Sequence, residues 1–291
     1  MAFFPGFESR WFEVGDTKIY GVIGGKGPPL LLLHGYPQTH VMWDRVAALL
    51  AAKFTVVATD LRGYGQSGKP ASAPDHSTYS KRSMAADQVR VMASLGFNQF
   101  GVAGHDRGGR VAHRMALDHA RQVTRWAALD IVPTLTMYQR TDRVFAEAYY
   151  HWFFLIQPAP LPERLIGADP DFFLMWHLTN RWGASEVFDP AALAAYRAAF
   201  RDPATIHATC EDYRAAASID LVHDQADLDH RVTAPLLALW GRRGVVDRCF
   251  RPLDDWRERV TTVTGESLDC GHYLAEEAPN ETARLVLDFF G

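Results

Sequence analysis

The eleven residues Phe100-Gly-Val-Ala-Gly-His-Asp106-Arg-Gly-Gly-Arg110 constrain this chain more than any other stretch. Phe100–Ala103 is a short apolar run that reads as a buried strand, and Arg110–His119 has helical spacing. Between them stands Gly104-x-Asp106-x-Gly108. A turn that abrupt holds its central side chain on strained backbone, and glycines on either side let neighbouring backbone come close. It delivers one side chain to a helix N-terminus, where backbone N–H groups favour an anion. In this chain the delivered group is a carboxylate.

A carboxylate in a nucleophile's position selects the chemistry. It can displace a leaving group from an sp³ carbon and form an alkyl ester with the protein. Water must then break that ester, which calls for a base. His272, in Asp269-Cys-Gly-His272, follows a predicted last strand and precedes the amphipathic helix Asn280–Phe290. Nucleophile, acid and histidine occur in that chain order in proteins with such an elbow, so His272 is the candidate base. Two acids stand at strand ends and can orient it: Asp130, after Trp126–Leu129, and Asp247, after Pro235–Trp240.

Around the elbow the chain alternates strands and helices. Leu30–Leu33 runs into the loop His34-Gly35-Tyr36-Pro37, Phe54–Ala58 runs into Asp60 and a glycine-rich loop, and Tyr79–Leu95 has helical spacing. This order predicts an α/β architecture with a mostly parallel sheet and flanking helices. From 133 to 223 the text turns helical and aromatic-rich, with no strong strand, before the strand signature returns at Pro235–Trp240. We therefore expect a core in two parts, 1–132 and 224–291, with a helical cap, 133–223, over the sheet's carboxyl edge, where such sheets bind ligands.

Composition excludes several alternatives. The net charge is −4 and the 30 basic residues are dispersed, which argues against nucleic acid as a partner. No apolar stretch is long enough to span a bilayer, and the start has no signal-peptide pattern, so the expected location is the cytoplasm. Three cysteines (Cys210, Cys249, Cys270) have no metal-ligand spacing and read as reduced thiols. The loop Gly63-x-Gly65-x-x-Gly68 lies too far from the first strand to be a dinucleotide fingerprint. No cofactor and no metal are expected.

Several segments together resemble the fluoroacetate (haloacetate) dehalogenases of the α/β-hydrolase superfamily. They are His34-Gly-Tyr-Pro-Gln-Thr-His40, Gly104-His-Asp-Arg-Gly-Gly-Arg110, Leu129-Asp130-Ile-Val-Pro-Thr, Tyr150-His151-Trp152, Cys210-Glu-Asp-Tyr213-Arg-Ala and Gly271-His272. Haloalkane dehalogenases and epoxide hydrolases usually carry His-Asp-Trp at the elbow, where this chain has His-Asp-Arg. The resemblance implies an α/β-hydrolase fold with a cap, and hydrolysis of small 2-haloacids such as fluoroacetate or chloroacetate to glycolate and halide. It implies Asp106 as nucleophile, His272 as base and Asp130 as orienting acid. Arg107 and Arg110 would bind the substrate carboxylate, and His151, Trp152 and Tyr213 the departing halide. Trp182, with Trp176 nearby, is the candidate for a cap tryptophan lining the pocket, and a homodimer is the implied assembly.

The residues themselves agree with parts of this picture. Arg107 and Arg110 are three apart at a helix start, so both can face one pocket, and two guanidiniums beside a nucleophilic carboxylate suit a second carboxylate. Backbone N–H groups of Arg107 and Tyr36 are the expected oxyanion donors. Two other readings stand beside this one. An epoxide hydrolase would share Asp106 and His272 and use cap tyrosines, for which Tyr149, Tyr150 and Tyr213 are available. A non-catalytic ligand-binding protein would have no need of nucleophile, acid and histidine together.

Overall fold

Eight short strands assemble one sheet in the computed structural model, which describes residues 3–179 and 185–291. They are β1 (Glu8–Glu13), β2 (Lys18–Gly25), β3 (Pro29–Leu33), β4 (Thr55–Thr59), β5 (Phe100–His105), β6 (Val123–Leu129), β7 (Leu236–Gly241) and β8 (Val263–Leu268). The spatial order is β1-β2-β4-β3-β5-β6-β7-β8. β1–β2 and β2–β4 are antiparallel and every other pairing is parallel. The α/β-hydrolase architecture expected from the sequence is the one observed. The antiparallel pair β1 and β2 was not legible, because exposed and buried residues mix along β1 instead of forming an apolar run.

The central strands explain their own position. Leu30 to Leu33 are all fully buried, and each contributes roughly 2 kcal/mol by leaving water. A run that is apolar on both faces fits only the middle of a sheet covered by helices on both sides. Lys81–Ser94 and Arg107–Asp118 are two of those helices, and Pro279–Phe290 closes the chain. The elbow helix therefore starts at Arg107, three residues before the predicted Arg110. The two glycines at 108 and 109 hid its first turn, since glycine weakens a helical pattern without preventing one.

Between β6 and β7 the described residues form helices with no strand among them, including Tyr150–Phe154, Pro170–Thr179, Pro190–Phe200 and Pro203–Ala216. The two flanking strands are neighbours in the sheet, with Trp126 opposite Leu236 and Leu129 opposite Leu239. The helical segment thus starts from the carboxyl end of β6, and the chain returns to the sheet at the amino end of its parallel neighbour β7. Cys210, Cys249 and Cys270 are all free thiols. No helix among the described residues is long and apolar enough to cross a membrane.

Candidate active site

The turn after β5 holds Asp106 at φ 48° and ψ −113°, on the left-handed side that L-residues rarely adopt. Its neighbours have to be glycine. A Cβ on Gly104 would sit 2.3 Å from the Gly108 carbonyl oxygen, and one on Gly108 would sit 2.4 Å from that of Leu33. Gly35 meets the same limit from the facing loop, where a Cβ would come within 2.6 Å of the Asp106 Cβ. The loop and the elbow therefore pack backbone against side chain. In that contact the Tyr36 N–H donates to Asp106 Oδ1 at 3.0 Å.

Asp106 is buried yet anionic. Burial raises its carboxyl pKa, but positive charge around it, on His272 when protonated and on the guanidiniums of Arg107 and Arg110, outweighs burial and holds the group below its ordinary value. His272 follows β8, and its Nδ1–H donates to Asp130 Oδ2 at 2.5 Å. In the neutral imidazole that bond keeps the proton on Nδ1 and turns Nε2 into the acceptor. Asp130 is itself fixed by the sheet. It lies just past β6 at φ 53°, its N–H donates to the Leu239 carbonyl at 2.7 Å, and its Oδ1 accepts from the Gly241 N–H at 2.9 Å. Asp247 instead accepts from the Trp240 indole N–H at 2.7 Å on an exposed edge. Of the two acids left open by the sequence, it is Asp130 that reaches His272.

His105 was not singled out from sequence. It donates from Nε2 to the His272 carbonyl at 2.8 Å, and burial drives its pKa down to about 3. It is thus a neutral strut behind the base, with its ring 4.6 Å from that of His272.

The two arginines occupy different environments. Arg107 is fully buried and grips Asp212, with Nε to Oδ2 at 2.9 Å, Nη2 to Oδ1 at 2.7 Å and Nη2 to the backbone carbonyl at 2.9 Å. Its guanidinium carbon lies 4.1 Å from the centre of the Tyr213 ring. This is an ion pair with an acid of the helical segment, which the reading of both arginines as pocket-facing did not include. Among the described residues only Nη1 is left without a partner. Arg110 has no carboxylate partner among the described residues. Its Nη1 donates to Thr134 Oγ1 at 2.9 Å and to the Val132 carbonyl at 3.3 Å, its Nη2 lies 3.0 Å from the Met137 sulfur, and its Nε is unpartnered. Burial and the like charge of Arg107 lower its pKa, and the Asp106 charge opposes that shift.

The three residues named for the halide are brought together and buried. His151 and Tyr213 have ring centres 5.6 Å apart, and Trp152 and Tyr213 are 6.4 Å apart. The Trp152 indole N–H and the Tyr213 hydroxyl find no hydrogen-bond partner among the described residues. Burial and then the Asp106 charge push the Tyr213 pKa well above its ordinary value, so the hydroxyl keeps its proton and can donate. Tyr36 stands against both, 5.2 Å from Tyr213 and 6.2 Å from His151 between ring centres. Trp182 lies outside the described residues, and Trp176 is largely exposed on its helix.

Asp212 was missed although its segment was quoted. The signal was available: Thr209, Asp212, Tyr213 and Ala216 form an i, i+3, i+4, i+7 stripe, all fully buried. An acid inside such a stripe demands a buried cation.

The comparisons with known proteins agree with this geometry. Residues 28–279 match the α/β hydrolase fold family. A fluoroacetate dehalogenase of a Burkholderia species is 50% identical over 288 residues, covering 98% of this chain and 94% of the relative. A soluble epoxide hydrolase of Corynebacterium sp. (strain C12) is 33% identical over 281 residues, covering 95% of each. Among solved structures, a protein of Nostoc sp PCC 7120 described provisionally as an α/β hydrolase superposes with a TM-score of 0.97 at 57% identity, covering 98% of both chains. With elbow, histidine and acid joined on this sheet, the chain belongs to the α/β-hydrolase fold family and, within it, to the fluoroacetate dehalogenases.

Proposed function

We propose that this protein hydrolyses the carbon–halogen bond of small 2-haloacids through an ester on Asp106. The observation that carries the reading is the buried, carboxylate-free guanidinium of Arg110 beside an anionic Asp106. A buried guanidinium hydrogen-bonded to no carboxylate among the described residues keeps a donor for an anionic substrate, which satisfies it. The Burkholderia relative is named for such a substrate, fluoroacetate.

The substrate carboxylate docks on Arg107 Nη1 and Arg110, which sets its α-carbon against Asp106. Asp106 Oδ1 is already engaged by the Tyr36 N–H, so Oδ2 is the attacking oxygen. Its electron pair forms the new C–O bond as the C–X bond breaks, and the halide departs with the bonding pair toward His151, Trp152 and Tyr213. Fluoride concentrates its charge on one small atom, and N–H and O–H donors in a dry site suit it. His272 then takes a proton from water, whose oxygen attacks the Asp106 ester carbonyl. Oδ1 carries the resulting negative charge against the Tyr36 N–H and the Arg107 N–H. Collapse breaks the bond from the Asp106 carboxyl carbon to the substrate oxygen, which takes the proton from His272 and leaves as the 2-hydroxy acid, and Asp106 is restored as its carboxyl proton passes to solvent.

The helical segment 133–223 acts in this reading as a cap that supplies the halide donors, and the family resemblance extends to a homodimer, which sedimentation would read as twice the chain mass. A second reading, epoxide opening, is favoured by the Corynebacterium relative and by Tyr149 and Tyr213, both buried at the site. One experiment separates the two. Ion-selective electrodes follow fluoride and chloride from fluoroacetate and chloroacetate, with styrene oxide hydrolysis measured in parallel. Halide release that is absent in Asp106→Asn supports the dehalogenase. Diol formation without halide release would overturn it in favour of epoxide hydrolysis.

A further inference from the structure

We infer that Asp212 is a positioning residue for substrate recognition: it fixes the Arg107 guanidinium so that Nη1 is the one edge left for the substrate carboxylate. The inference rests on the dehalogenase reading for the identity of the substrate, and on geometry for the role of the acid.

Arg107 has five N–H donors, and Asp212 occupies three of them through both carboxylate oxygens and its own backbone carbonyl. With the face of the guanidinium against the Tyr213 ring, the plane has no rotational freedom left. The remaining group, Nη1, is buried and has no hydrogen-bond partner among the described residues. A flexible arginine would lose rotamer entropy on meeting each substrate, and this one is ordered before substrate arrives.

Asp212 could simply neutralise Arg107, which would make it a poor anion receptor. Two further contacts prevent that. Lys81 Nζ, at the start of the helix Lys81–Ser94, also pairs with Asp212 Oδ1, and the Tyr64 hydroxyl donates to Oδ2 at 2.6 Å. Lys81 is held in turn by Asp220, 3.4 Å away. The Asp212 charge is thus divided between two cations, and part of the Arg107 charge stays available at Nη1. Asp212 and Tyr213 share one helical turn, so a single helix sets both the carboxylate receptor and a halide donor.

The test compares wild type, Asp212→Asn, Arg107→Lys and the double variant. Acetate binding is measured by titration calorimetry, KM and kcat are measured with chloroacetate, and melting temperature is the control for folding. Asp212→Asn is expected to weaken acetate binding and raise KM at least about ten-fold while kcat changes much less. The double variant should bind acetate no worse than Arg107→Lys alone, because both changes remove the same positioned donor. Unchanged acetate affinity in Asp212→Asn, or losses that multiply in the double variant, would overturn the inference. Acetate binding is read without turnover. If wild type binds acetate but releases no halide, the dehalogenase reading fails and the role of Asp212 is still decided by the acetate series. If wild type binds no acetate, the inference is overturned.

Discussion

Asp106 must satisfy three demands at one backbone position: left-handed φ, burial, and ionisation. Left-handed backbone costs an aspartate less than a β-branched residue, and the surrounding glycines remove the clashes. Ionisation is held by neighbouring charge, so Asp106→Asn keeps the shape and loses the nucleophile. Halide release should fall by at least about 10⁴-fold in that variant. The base is tested by arrest. His272→Asn should release about one halide per chain and stop, with the carboxymethyl ester on Asp106 visible by intact-mass spectrometry. A halide yield well above one per chain would remove His272 from the second step. Asp106 and His272 were legible as candidates because a turn motif and chain order point to single positions. Asp212 and His105 were not, since their roles come from partners 105 and 167 residues away in sequence.

The short helix Leu274–Glu277 directly after His272 ties the core to the helical segment. Its Glu276 accepts from the Tyr196 hydroxyl at 2.9 Å on the helix Pro190–Phe200, and also from Gln38 on the loop after β3. The Arg45 guanidinium reaches its backbone carbonyl, and Glu277 adds a like charge nearby. Burial pushes the Glu276 carboxyl up to about 8 from an ordinary 4.5. A carboxyl raised in this way binds its proton more tightly folded than unfolded. Its stabilisation is therefore complete below about pH 4.5 and lost as pH rises toward about 8. Glu276→Gln should flatten that loss. Between pH 5 and pH 8 the melting temperature of wild type should fall by about 2 °C or more beyond that of the variant. Parallel melting curves would mean that Glu276 does not titrate in the folded chain. This latch could not be read in the sequence, where Glu276 and Glu277 look like two surface acids in a first helical turn.

At the scale of the molecule, the proposed anion site is buried inside a chain of net charge −4. Long-range repulsion slows the approach of a haloacid and is screened by salt, whereas the contacts of Arg107 and Arg110 are shielded from it. Raising ionic strength from about 0.01 M to about 0.1 M should therefore raise kcat/KM modestly, by no more than about two-fold, and leave acetate affinity nearly unchanged. A steep loss of affinity with salt would mean that the receptor is solvent-exposed. The coarse architecture was readable because buried parallel strands leave uninterrupted apolar runs. Pairing order and the edge strands are set by contacts that no local pattern encodes.

Asp130, the acid that reaches His272, is anchored by a strand that is synthesised much later. Asp130 takes its fixed orientation from Leu239 and Gly241, the latter 111 residues further along the chain. On a ribosome, or after dilution from denaturant, β6 can be made and the helices that follow can collapse while the acid still has no seat. Only when β7 slots in beside β6 does Asp130 acquire its direction, and only then does His272 have something to lean on. Recovery of halide release during refolding is thus a timestamp for sheet closure, later than any signal from helix formation. A chain caught before that moment would look well structured by circular dichroism and remain chemically silent.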